Sequence, residues 1–343
     1  MSGPPEGRVR HAGSATAPSD HDSAVLMAAL IPPRSVPDRP VHTLMRLWTH
    51  RCIRGGLPVI ALLLSLTACS SRSGTPSAPS PTPDPGAPIF YTAIGASDAA
   101  GIGSTVPCLP FTTCAEGTGY VPIVARDLAR DGATVTLMNM GIPAAVLSPR
   151  IQAIGAAYGR SAPASFLNEE APFVPKNTTH LTIFAGGNDT NTIATAAGGE
   201  AGGSDPDGYI DAQIRAFGDD YASLLRIIRQ RAPAARIAAA NLPNFAGMPF
   251  TAAFSPRDKL ILQRISVGFS TQVINPLVSQ GIAVVDLLCD PRFADPGIYS
   301  ADGFHPNDAG HRYLAEQMLN ALTQAGYPAP QSSCARMTLV PAR

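Results

Sequence analysis

The chain has 343 residues, with 25 Lys plus Arg against 25 Asp plus Glu and a formal net charge of zero. That balance removes any electrostatic case for nucleic acid or an acidic partner and leaves a small neutral molecule as the expected ligand. The length suits one large domain or two ordinary ones, but many of the 34 prolines and 31 glycines fall before Pro88, where they mark chain without a core of its own.

In chain order, the first patterned segment begins at Met45. Arg46, Arg51 and Arg54 precede the apolar run Leu57 to Ala68, and Cys69 follows, with Ser70 and Ser71 behind it. A basic stretch, a short apolar stretch and a small-residue site make a signal peptide; the run is too short for a bilayer span of about 20 residues. Leu66-Thr67-Ala68-Cys69 also resembles the lipobox of bacterial lipoproteins, which implies cleavage before Cys69, lipid on its thiol and a place on the cell envelope or surface. Residues 1–44 are then an upstream extension with Met45 as the working start, 45–68 the signal, and 69–87 a Pro/Ser-rich linker carrying the lipid. Residues 88–343 form the expected folded domain.

Within that domain the strand candidates are Ile89 to Ile94, Thr134 to Asn139, His180 to Ala185, Arg236 to Leu242 and Ile282 to Leu287. Helical patterns occupy Gly119 to Arg130, Tyr209 to Arg231, Pro256 to Ser279 and Asn307 to Ala325. Alternating strands and helices predict right-handed crossovers and a parallel sheet covered on both faces, a three-layer α/β/α sandwich of the α/β class. The apolar runs are nearly continuous, as strands buried on both faces require. Ligands bind such sheets at the carboxyl ends of the strands, and Ser97, Asn188 and the segment after Leu242 all fall there.

Ser97 ends the first strand among small residues. A serine attacks only when a base takes its proton and a third group orients the base. Asp302 and His305, three residues apart, supply both from one turn, with Pro306 fixing the chain behind them and Asn307 or Asp308 placed to cap the last helix. The oxyanion of an acyl-transfer intermediate needs donors as well. The Ser97 N–H and the Asn188 side-chain amide, at the end of the third strand, are placed to serve.

Gly95-Ala96-Ser97-Asp98-Ala99-Ala100-Gly101, Gly187-Asn188-Asp189 and Asp302-Gly303-Phe304-His305-Pro306 resemble, in that order, three blocks of the SGNH (GDSL-type) hydrolases. The resemblance implies a flavodoxin-like sandwich with a mainly parallel five-stranded sheet, and a serine esterase without metal or cofactor. It also implies the roles just given to Ser97, Asp302, His305 and Asn188. It adds a second backbone oxyanion donor after the second strand, usually on glycine, at a place that holds Ala144 here, with Gly141 as the fallback. Ala96 stands where the family commonly has aspartate, and Asp98 is the neighbouring acid expected to take over part of its local bonding.

Cys52 leaves with the signal and Cys69 takes lipid, so Cys108, Cys114, Cys289 and Cys334 remain in an oxidising compartment. Of the three pairings four cysteines allow, Cys108 with Cys114 and Cys289 with Cys334 is favoured: one closes a short loop, the other ties the tail to the last strand. No Cys-x-x-Cys pair or clustered histidine suggests metal. Asp205-Pro206-Asp207-Gly208 has its glycine at the wrong offset for a calcium loop and reads as a solvated, flexible loop. Two insertions, Leu147 to Lys176 with Tyr158, Phe166 and Phe173, and Asn241 to Phe250, are expected to shape the pocket as loops. The function expected is hydrolysis of a lipid, short-chain or acylated-carbohydrate ester through a Ser97 acyl-enzyme. Acyl transfer through the same intermediate, and a ligand-binding lipoprotein with an inactive triad, are the alternatives.

Overall fold

A computed structural model describes residues 87–130 and 132–341. The signal segment, Cys69 and the linker lie outside the described residues. Five strands, β1 (Ile89–Gly95), β2 (Val135–Asn139), β3 (His180–Phe184), β4 (Arg236–Ala240) and β5 (Ala283–Val285), form one parallel sheet in the order β2-β1-β3-β4-β5. The order reverses between β1 and β3, and an open parallel sheet binds ligands at such a switch point.

Helix α1 (Ser97–Ala100) follows β1 directly, and α2 (Tyr120–Leu128) leads to β2. Next come α3 (Pro149–Ala157), α4 (Gly187–Gly198), α5 (Pro206–Arg231), α6 (Pro256–Gly268) and α7 (Asp308–Thr323). Helices α2 and α7 pack on each other and on the strands, while α3 to α6 pack among themselves, making the outer two of three layers. The sheet supplies the core between them. Ile94, Leu181 and Ile183 have no exposed surface, and fully burying an aliphatic side chain contributes about 1.5–3 kcal/mol.

The sequence expectations change at several elements, among them α4, to which no helical pattern is assigned. Leu147 to Lys176 is not plain loop: it holds α3 and two further helical turns, Phe166–Glu170 and Ala171–Phe173. The second insertion, Asn241 to Phe250, likewise contains the short turn Phe245–Gly247. The helix expected to run to Ser279 stops at Gly268 and continues as a wider turn over Phe269–Ile274 and a tighter one over Asn275–Gln280, where Pro276 has no N–H to continue an α-helix. Asp205 to Gly208 is no flexible loop, because the Asp205 side chain accepts the Gly208 N–H at 2.9 Å and caps α5. Both favoured disulfides, Cys108–Cys114 and Cys289–Cys334, are present.

Candidate active site

Ser97 opens α1, so its N–H has no carbonyl one turn back to bond and stays available. Its hydroxyl lies 2.8 Å from His305 Nε2, and His305 Nδ1 lies 2.6 Å from Asp302 Oδ2. With Nδ1–H donating to the carboxylate, Nε2 is left to accept the Ser97 proton. The other Asp302 oxygen, Oδ1, accepts the Phe304 N–H at 2.8 Å, the His305 N–H at 2.9 Å and the Ser300 hydroxyl at 2.8 Å. Burial disfavours the Asp302 charge, yet these donors and the facing imidazole hold its carboxyl far below the usual carboxylate range. Burial likewise pulls His305 down, but the Asp302 bond and the charges of Asp98 and Asp302 outweigh it, and the net shift is upward. The Phe304 ring meets the imidazole edge to face at 5.0 Å, and the Asn307 side chain caps α7 by accepting the Gly310 N–H at 3.0 Å.

The segment after β2 is tied down from α4. Asn188 Nδ2 donates to the Ala145 carbonyl at 3.0 Å, and Asp189 Oδ1 accepts the Leu147 N–H at 2.9 Å. Just before these ties Ala144 sits at φ 64°, the left-handed region that a glycine would enter without cost. The Gly141 N–H is already spent on Asn139 Oδ1 at 3.0 Å. An added Cβ at Gly141 would fall 2.6 Å from the Ala99 Cβ and 2.7 Å from the Ala100 nitrogen, so its missing side chain serves close packing under α1. The fallback donor is therefore occupied.

Three groups stand at the site that the sequence did not single out. Glu170 is fully buried and accepts the Gly95 N–H at 3.0 Å; burial raises its carboxyl well above the usual range, against bonds from Gly95 and Ile142 that pull it down. It is thus Glu170, rather than Asp98, whose carboxyl bonds the nucleophile turn. Arg160 reaches Asn188 Oδ1 through Nη2 at 3.3 Å. His311 accepts the Tyr120 N–H at 3.3 Å and donates to the Ile102 carbonyl at 3.0 Å. No local pattern announces any of them, since each partner is remote in sequence.

Beside the triad a cavity partly open to solvent is lined by Phe166, Phe184, Leu242, Phe245, Phe304 and Asp98 among others. Phe166 points inward, whereas Phe173 is 61% and Tyr158 38% exposed, so of the three insertion aromatics Phe166 is the one that lines the cavity.

A carboxylate, an imidazole and a hydroxyl in series at the carboxyl edge of a parallel sheet define a hydrolase of the α/β class. The chain belongs to the GDSL-like lipase/acylhydrolase family, whose model matches residues 93–313. It is 51% identical over 39 residues to a GDSL lipase of Mycobacterium tuberculosis, a match covering 11% of this chain and 17% of that lipase's length. Among solved structures it resembles an extracellular lipase from Streptomyces rimosus at TM-score 0.48 and 17% identity, covering 68% of this chain and 99% of that one. It also resembles the lipase Lip_vut3 from a goat rumen metagenome at TM-score 0.48 and 19% identity, covering 70% and 98%.

Proposed function

We propose that this chain is a serine esterase in which Ser97 is the nucleophile, His305 the general base and then acid, and Asp302 the group that orients the imidazole. The unbroken series from Asp302 Oδ2 to His305 to Ser97 Oγ, at 2.6 and 2.8 Å, carries the reading. Ser97 Oγ attacks the ester carbonyl as its proton passes to Nε2. The Ser97 and Ala144 N–H groups and Asn188 Nδ2 receive the developing oxyanion. Collapse breaks the bond to the alcohol, which leaves with the proton from Nε2. Water, deprotonated by the same nitrogen, then releases the acid and restores the Ser97 hydroxyl.

The apolar cavity fits an acyl chain better than a charged group. Each buried methylene is worth about 0.8 kcal/mol, so kcat/KM for p-nitrophenyl esters should rise by as much as about fourfold per added methylene until the cavity is full. The protein is assayed beside Ser97→Ala. No turnover by the wild type, or turnover that survives the substitution, sinks the triad; a flat chain-length profile removes the cavity as the acyl site. The proposal extends to a lipid-anchored enzyme at the cell envelope, held through Cys69, and recovery of the whole protein in the soluble fraction of expressing bacteria would count against that part.

A further inference from the structure

Asn188 can stabilise an oxyanion only if its NH₂ rather than its carbonyl faces the reacting carbon, and a side-chain amide has both ends to offer. One Nδ2 hydrogen is used on the Ala145 carbonyl at 3.0 Å, which leaves the second as the one free donor of that nitrogen. The oxygen end is met by Arg160 Nη2 at 3.3 Å. Arg160 itself is firmly placed. It follows the end of α3, and its N–H donates to the Gly155 carbonyl at 2.7 Å. A Cβ at Gly155 would come within 2.1 Å of the Arg160 carbonyl oxygen, so the glycine permits this tight return.

The guanidinium takes part in none of the ion pairs of the described residues. Asp189, the neighbouring acid, spends Oδ1 on the Leu147 N–H instead. Burial disfavours the guanidinium charge, the Asp189 carboxyl favours it without forming an ion pair, and the net shift of Arg160 is downward, so holding a cation here is costly. Placed behind an oxyanion donor, its charge is useful at the moment negative charge forms.

We propose that Arg160 is a positioning residue for ester hydrolysis, fixing the Asn188 amide with its NH₂ toward the oxyanion and polarising it through Oδ1. The inference rests on the serine esterase reading. A charge-assisted bond at the amide oxygen draws electron density from nitrogen, so Nδ2–H becomes a stronger donor. The gain is larger toward a full oxyanion than toward the neutral carbonyl of bound substrate, so it belongs to kcat rather than KM.

The test compares wild type, Arg160→Met, Arg160→Lys, Asn188→Ala and the Asn188→Ala/Arg160→Met double variant on one neutral p-nitrophenyl ester and one carboxylate-bearing ester. Arg160→Met should lower kcat about tenfold with KM little changed, a share of the roughly 10²–10³ that a direct oxyanion donor is worth. Arg160→Lys, which keeps the charge and a donor, should recover part of the loss. In the double variant the arginine substitution should cost nothing further, because its effect passes through the amide. Arg160→Met with wild-type kcat, or losses that multiply in the double variant, overturns the inference. A rise in KM confined to the anionic ester assigns Arg160 to substrate binding and overturns it too. An inactive wild type instead refutes the esterase reading itself. Should Arg160→Met fail to fold, Arg160→Lys set against Asn188→Ala/Arg160→Lys decides by the same non-additivity.

Discussion

His305 must be neutral to take the Ser97 proton, and two carboxylates oppose that neutrality. Burial favours the neutral ring, but the bond to Asp302 and the charges of Asp98 and Asp302 raise its pKa above 6.5. kcat/KM should therefore fall as pH drops through a value above that of free histidine. The Asp98 carboxyl lines the cavity, and burial raises its own pKa against the lowering pull of His305. Asp98→Asn removes one of the two anions stabilising the imidazolium, so the acid limb of the profile should move to lower pH while the alkaline plateau holds. Profiles taken from about pH 5 to 9 that superimpose for the two proteins would show that Asp98 does not act on the base. The Asp302–His305 bond was legible in sequence because the two residues sit three apart, so a local turn suffices to join them. Glu170 and Arg160 were not, since Gly95 and Asn188 become their partners only when the sheet and α4 assemble.

Elements were legible in proportion to how far their own residues determine them. The strands carry unbroken apolar runs and appear where those runs lie. Helix α4, in contrast, is rich in Thr, Asn and Gly, weak helix formers, and its N-terminus has no side-chain cap. It holds because Thr190, Thr192, Ile193 and Ala196 are buried, a tertiary cause that no local pattern reports. The C-terminal tail is fastened in a similar non-local way: Asn244 Nδ2 donates to the Arg336 carbonyl at 2.8 Å, and Gln263 Oε1 accepts the Leu339 and Val340 N–H groups at 2.8 and 2.9 Å. The two disulfides should differ in worth, because Cys289–Cys334 spans 45 residues and Cys108–Cys114 only 6. On loop-closure entropy the first contributes about 4 kcal/mol and the second about 2 kcal/mol. Urea unfolding of the two Cys→Ser pair variants should rank them in that order, and the reverse ranking would show that tail bonding rather than chain closure sets the difference.

At the scale of the whole molecule, Ser97 and His305 lie 208 residues apart in sequence and meet through a 2.8 Å bond. The strand-helix alternation foretold which edge of the sheet they would share, but the clasp that holds the two arms in register was hidden. That clasp is His311, on the first turn of α7 after the base. Its Nδ1 accepts the N–H of Tyr120 at the start of α2, and its Nε2 donates to the carbonyl of Ile102, whose own N–H bonds the Ser97 carbonyl at 2.9 Å. One fully buried ring thus joins the nucleophile helix, α2 and α7. Burial is the main cause that pushes its pKa down to about 4, so it stays neutral, with its donor and acceptor intact, throughout the range in which His305 titrates. His311→Leu leaves the buried Tyr120 N–H and the half-buried Ile102 carbonyl without their partner, at a cost of about 1–3 kcal/mol for the first and somewhat less for the second. Chemical denaturation should therefore show a loss of about 2–5 kcal/mol, and kcat should fall at temperatures where the variant is still folded, because the Ser97 and His305 arms lose their common anchor. Full kcat in a folded but destabilised variant would confine His311 to stability.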